Sequence, residues 1–394
     1  MYSWLLPEAF ADVLPMEARQ LEELRRSLLD LTRAYGYELV QPPLVEHLDA
    51  LSIGRRGDLD VRTFKLVDQL SGRTLGLRPD ITPQVARIDA QRLERNGVAR
   101  LAYCGSVLHA RPSSLGASRE LTQIGAEIYG HEGLEADLES IDLMLAALAV
   151  GGIHQVRVDL CHLGLVRALL SEDLRLVEDE LFPMLQRKDV PGLSAALGKI
   201  PTLSPALANA VLALPALYGT DAASVLARAR AELGAFEAVA RALDELERLV
   251  SSPILANYRD AVMAIDLGDL RGYRYHTGVT FAAYVAGGFS SIARGGRYDY
   301  IGDVYGRGRP ATGFSLDLQA LAACGAARPT TRAIRAPWLD DLPLAHTIAA
   351  LRRDGEIVVQ SLPGHENDQE EFRCDRELCW IDGSWQVRPL HAPS

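Results

Sequence analysis

Apolar residues recur at three- and four-residue spacing near the start of the chain. Leu21, Leu24, Leu28, Leu31 and Tyr35 are separated by charged positions, which predicts an amphipathic helix. Pro15 ahead of it and Gly36 behind it are residues that helix beginnings and ends prefer. The period then shortens. YELVQPPLVE is β-rich and predicts a strand that stops at Pro42 and Pro43, where the ring removes a ladder donor. From about Phe64 to Gly130, β-type runs alternate with turns: TFKLVDQ, TLGLRPD, RLAYCGSVLHA and LTQIGAEIYG, with a short helix predicted at ITPQVARIDA. This is the pattern of an antiparallel sheet with inserted helices. A helix around ADLESIDLMLAAL and a strand at QVRVDLC follow.

From about 165 to 255 Ala, Leu, Arg and Glu dominate at helical spacing, and Pro183, Pro191, Pro201, Pro205 and Pro215 divide the run into short helices. Strand signals return at YRYHTGVTFAAYV and end in ARGGRYDYIG, followed by PATGFSLDLQALAAC. GAARPTTRAIRAP predicts a linker. Beyond it the tail predicts one helix (LAHTIAALRRDG), one strand (EIVVQSL) and a hairpin (LCWIDGSWQV). The chain therefore predicts an α+β protein in four stretches: 1–164 and 256–325 as one core, 165–255 as a helical insertion, and 326–394 as a small C-terminal α/β domain.

Composition narrows the function classes. A chain of 394 residues is long for a single core. Hydrophobic content of 48% with a mean hydropathy of +0.01 is that of a globular protein. No apolar run approaches the ~20 residues that cross a bilayer, so no membrane partner is expected. The opening MYSWLLPEAFADVLP lacks the pattern of a secretory signal. Five scattered cysteines (Cys104, Cys161, Cys324, Cys374, Cys379) fit a reduced, cytoplasmic chain. Only Cys374 and Cys379 lie close together, so no metal centre is expected. The net charge of -11 argues against a protein that grips an RNA backbone.

Several segments, in order, resemble the class II aminoacyl-tRNA synthetases and histidyl-tRNA synthetase in particular, over roughly residues 4–325. LPEAFADVLP resembles that family's N-terminal signature, and YGYELVQPPLVE its first class motif, with Pro43 at the family proline. SVLHARPSSLGASRELTQIGAEIYG resembles the second motif, RGYRYHTG the histidine-specific loop, and ARGGRYD and PATGFSLDLQAL the glycine-rich strand and third motif. The resemblance implies an antiparallel sheet flanked by helices. It also implies an amino-acid pocket. LRPDITPQVAR places Asp80 and Thr82 where the family binds the substrate ammonium. Gln123 and Glu127 keep the pair that holds the ammonium and imidazole ends. Arg271 stands where the family meets the substrate carboxylate, with Tyr275 and His276 lining the pocket. His276 replaces a second tyrosine and Arg274 an aspartate.

The adenylation side chains are missing. The family's α-phosphate arginine and adenine-binding glutamate are His109 and Arg111 here, and Ala320 replaces the γ-phosphate arginine. A charge-assisted hydrogen bond is worth about 1.5–3 kcal/mol, and losing a transition-state donor costs ~100-fold or more. Arg111, expected one pleat along the same strand face as His109, would be a partial substitute. Ala320 has no such stand-in. No catalytic residue is expected. His109 reads as a structural replacement and not as a base.

A retained pocket beside lost phosphate ligands is similar to one paralogous family, the regulatory subunits of short-form ATP phosphoribosyltransferase. That resemblance implies the catalytic subunit of that enzyme as partner and a self-dimer through the synthetase-like core. It further implies histidine as effector, with no cofactor and no tRNA. The tail, of roughly 70 residues, is short for an anticodon-binding domain. A divergent synthetase and a stand-alone histidine sensor are the alternative readings.

Overall fold

A computed structural model describes residues 5–52, 62–112, 114, 116–170, 172–288, 290–325, 332–365 and 373–390. The first helix, α1 (Pro15–Ala34), buries Leu24 and Leu28 from the predicted stripe. The β-rich run after it is not one strand but two, in different sheets. β1 (Glu38–Leu39) pairs parallel to β5 (Ala99–Leu108), whereas β2 (Val45–His47) pairs with β4 (Thr74–Leu77). The prolines between them offer carbonyls in place of ladder bonds: Pro42 accepts from Arg78 Nη1 and Pro43 from Gln84 Nε2, each at 2.8 Å. With β3 (Phe64–Val67), β4 and β2 form a three-stranded sheet.

The large sheet has nine strands. The order is β1, β5, β6 (Glu120–Tyr129), β12 (Ala311–Asp317), β11 (Ala293–Arg297), β10 (Val279–Val285), β7 (Val156–His162), β9 (Ala261–Asp266) and β8 (Tyr218–Gly219). Its middle is antiparallel as expected, but the pairs β1–β5 and β7–β9 are parallel. One face is covered by the helix Leu134–Val150, which buries Ile141, Leu143, Met144 and Leu148, and by Glu237–Val250, which buries Leu243, Leu246 and Leu249. Arg297 reaches through that face to Asp137 (Nη2–Oδ2 2.6 Å), a buried pair that ties β11 to the covering helix.

Four expectations need correction. β9 was not legible as a strand, because AVMAID is short and owes its extended form to its neighbours β7 and β8. The predicted helical insertion contains β8, which adds to the sheet edge. YRYHTG is not strand but turn: Gly272 has φ +77°, and the amides of Tyr275 and His276 both donate to its carbonyl at 2.8 Å, so β10 starts only at Val279. Finally, the predicted linker contains β13 (Arg332–Pro337), with Ala333, Ile334 and Ala336 fully buried; its residues 326–331 lie outside the described residues.

The chain divides into two compact units, the described parts of Met1–Asp12 with Leu21–Ala326, and of Val13–Gln20 with Ala327–Ser394. The second contains a four-stranded sheet in the order β14 (Val358–Ser361), β13, β15 (Arg373–Ile381), β16 (Ser384–Pro389). Its own core joins Ile334, Ala336, Val358 and Leu378 to Leu344 and Ile348 of the helix Leu342–Arg353. The predicted hairpin turns at Asp382-Gly383, both at positive φ, the conformation that a two-residue hairpin loop requires.

Candidate functional site

Glu127 lies on β6 with only 1% of its surface exposed. A carboxyl group buried to this degree needs partners. It has three hydroxyls. Thr82 Oγ1 and Tyr103 OH donate to Oε1, each at 3.0 Å, and Tyr298 OH donates to Oε2. Desolvation outweighs these bonds and pushes the carboxyl up to about 8. Tyr103 and Tyr298 are themselves held well above the ordinary phenol range, by burial first and by Glu127 second.

Around this carboxyl the structure gathers most of the predicted pocket. Gln123 Oε1 accepts from the amide of Ile81 (2.8 Å), and its Nε2 donates to Asp80 Oδ1 (2.9 Å). Asp80 Oδ1 also accepts from the amide of Thr82 at 3.1 Å, at the start of the helix Thr82–Ile88. Asp80, Thr82, Gln123 and Glu127 thus form one hydrogen-bonded chain. Tyr275 stacks on Tyr298 (centroids 4.9 Å, interplanar 21°), and His276 meets Tyr275 edge-on at 4.9 Å.

Arg271, expected to meet the substrate carboxylate, is engaged within the chain. Its Nε donates to Asp269 Oδ1 at 2.7 Å, and Nη2 donates to both Asp269 and the hydroxyl of Tyr284. The adjacent carboxylate raises its pKa. The guanidinium predicted to meet a substrate carboxylate already holds one from its own chain.

Strand registers define the floor between these groups. Glu127, Gly313, Gly296 and Thr280 stand opposite one another on β6, β12, β11 and β10, and so share a face. One pleat along, Tyr103, Gly125, Ser315, Arg294 and Ala282 form the next row. The floor is therefore small side chains, with Glu127 and its hydroxyls at one end and Arg294, Arg271 and Tyr284 towards the other. Glycine is required at 313, where a Cβ would lie 1.8 Å from Glu127 Oε2. Sequence reasoning missed Tyr103, Tyr298, Asp269, Tyr284 and Arg294. The available signal was period-two alternation from Glu127 and from the glycine-rich strand, but it needs the pairing partners to become a face.

Of the positions where the resemblance implies ATP ligands, only His109 is buried. β5 ends at Leu108, so Arg111 sits in an exposed bend and not one pleat along a strand from His109. His109 is buried, with Nε2 3.1 Å from the carbonyl of Pro79, and burial lowers its pKa and favours the neutral ring. Ala320 lies in the helix Leu318–Cys324. Among the described residues no group of three or more His, Cys, Asp or Glu side chains is placed to hold a metal ion, and no helix is long and apolar enough to cross a membrane.

Comparison with known proteins bears on the same question. The profile of the family described as histidyl-tRNA synthetase matches residues 9–321. That of the ATP phosphoribosyltransferase subunit HisZ C-terminal domain matches residues 331–388. The ATP phosphoribosyltransferase regulatory subunit of Ralstonia pickettii is 57% identical over 392 residues, 99% of each chain. The chain belongs to the ATP phosphoribosyltransferase regulatory-subunit family. The regulatory subunit of Ralstonia nicotianae is likewise 57% identical, over the whole of both chains. The crystal structure of an ATP phosphoribosyltransferase regulatory subunit/histidyl-tRNA synthetase from Bacillus halodurans superposes with a TM-score of 0.79 at 27% identity, over 91% of this chain and 93% of that one. Histidyl-tRNA synthetase from Nostoc superposes at 0.76 with 17% identity, over 99% and 97%, and at that identity attests the fold alone. The regulatory-subunit family thus joins a synthetase-like core to its own C-terminal domain.

Proposed function

We propose that this chain is a non-catalytic regulatory subunit of ATP phosphoribosyltransferase. It associates with the short-form catalytic subunit and is required for joining ATP to phosphoribosyl pyrophosphate, the first step of histidine biosynthesis. It dimerises through the synthetase-like core, works in the cytoplasm, binds no tRNA and carries out no aminoacylation. Histidine, the end product, binds the pocket built on Asp80, Thr82, Gln123 and Glu127 and signals through it, with Tyr275 and His276 as its aromatic wall. The observation that carries this reading is identity of 57% along essentially the full length of regulatory subunits, C-terminal domain included. The side chains agree with it. His109 and Ala320 offer a triphosphate no cation where the synthetase resemblance would place two arginines.

For histidine to inhibit through this chain, it must bind the inhibited assembly more tightly than the active one. The test is reconstitution. Phosphoribosyl-ATP formation by the catalytic subunit is measured with and without this chain, alongside co-elution of the two and histidine-dependent pyrophosphate exchange by this chain alone. A rise in rate with co-elution and no exchange is expected. An unchanged rate with no co-elution, or robust exchange, would sink the proposal.

A further inference from the structure

Three arginines line the open sheet face, and their charges are not equally available. Arg271 is taken up by Asp269 and the Tyr284 hydroxyl. Arg157 pairs with Asp159 at 2.8 Å. Arg294, on the row next to Glu127, donates to Ser291 Oγ at 2.7 Å and forms no ion pair among the described residues. Packing around its stem and the neighbouring cation of Arg271 lower its pKa, against the opposing influence of Tyr284 and Asp269. An exposed arginine without an ion-pair partner, next to the cation of Arg271, gains from an added anion, which offsets the repulsion between the two cations.

Its position fits one end of a dipolar ligand. Arg294 stands two strands and one pleat from Glu127. Strand spacing and rise put their Cα atoms about 12 Å apart. Between them lie Gly296, Gly313, Gly125 and Ser315, which raise almost no side-chain bulk. The polar end built on Asp80, Gln123 and Glu127 and, across a shallow floor, a cation with no ion pair among the described residues match a small zwitterion better than a neutral molecule.

We infer that Arg294, and not Arg271, receives the carboxylate of the amino acid bound in this cleft, and so decides that the ligand must be an α-amino acid. Arg271 orders the Asp269–Tyr284 wall behind it. This rests on the proposal that histidine binds the pocket. The same chemistry would also take a phosphate, so the test includes one.

The full-length chain is titrated calorimetrically with L-histidine, with histidinol, which keeps the ring and the amine but carries a hydroxyl in place of the carboxylate, and with inorganic phosphate. Wild type is expected to prefer histidine over histidinol by about tenfold or more, the size of one charge-assisted hydrogen bond. Arg294→Ala is expected to lose most of that preference by weakening histidine alone, with Arg294→Lys intermediate; circular dichroism checks that each variant is folded. Histidine binding that Arg294→Ala leaves intact overturns the inference while the effector reading stands. Phosphate binding lost in Arg294→Ala with histidine unaffected assigns the arginine to phosphate and also overturns it. No binding of histidine to wild type overturns both.

Discussion

At the scale of single residues, Glu127 is the most informative position. Its folded-state pKa of about 8 stands above the ordinary 4.5. The folded protein keeps this proton after the unfolded chain has released it, so stability falls as pH rises from about 4.5 to about 8 and levels off above. Glu127→Gln keeps a polar group among the three hydroxyls and removes the titration. Thermal unfolding measured across that interval should have a shallower pH slope than in wild type, and an unchanged slope would mean that burial does not perturb this carboxyl. Glu127→Ala should instead cost stability at every pH, because Tyr103, Tyr298 and Thr82 lose their common acceptor. Glu127 and Gln123 were legible as a pair through the resemblance to the synthetase second motif; their spacing, which puts both on one strand face, agrees with it but does not by itself distinguish a ligand pair from a buried polar spot. The capture of Arg271 by Asp269 was not legible. A D-x-R spacing occurs in many turns, and only the fold of the 268–276 loop brings the two ends together.

At the scale of elements, two contacts hold the site's strands in place. Arg297 and Asp137 are almost fully buried and join β11 to the helix behind it. Asp137→Ala would leave the buried guanidinium with only the longer pair to Asp299 (3.4 Å), a loss of up to about 3–5 kcal/mol. Urea denaturation measures this, and replacing both partners with apolar residues should recover much of the loss. On the opposite face, Gly313→Ala drives a methyl into the Glu127 carboxyl and also within 2.4 Å of the Ala126 carbonyl. The variant should lose stability and histidine binding together, whereas Ser315→Ala, on the next row, should leave the fold unaffected. The sequence announced α1, the strands β5 and β6 and the Asp382-Gly383 hairpin, because hydrophobic period and turn chemistry are local. It did not announce β8 or β9, since two to six residues become strand only when a neighbour supplies their hydrogen bonds. Nor did it separate β1 from β2, whose partners lie in different sheets.

At the scale of the whole molecule, each compact unit has its own core. Leu344 is buried between its helix and the small C-terminal sheet. Leu344→Ala should remove about 2–5 kcal/mol from that core. Hydrogen exchange should report it as faster exchange in β13–β15, and uniform acceleration in the nine-stranded sheet as well would mean that the C-terminal core is not a separate cooperative unit. By itself the sequence determined the class of fold, the helical character of residues 165–255 and the loss of the phosphate-binding arginines. The first two are written in residue type and spacing, which local physics reads directly; the third was legible only through the resemblance to the synthetase motifs. Only the tertiary structure decided which side chains are already engaged. It closes three hydroxyls around Glu127, gives Arg271 to Asp269 and leaves Arg294 without an ion pair among the described residues. The reason is that hydrogen bonds and ion pairs between residues far apart in the chain depend on strand order and register, and no local pattern specifies those.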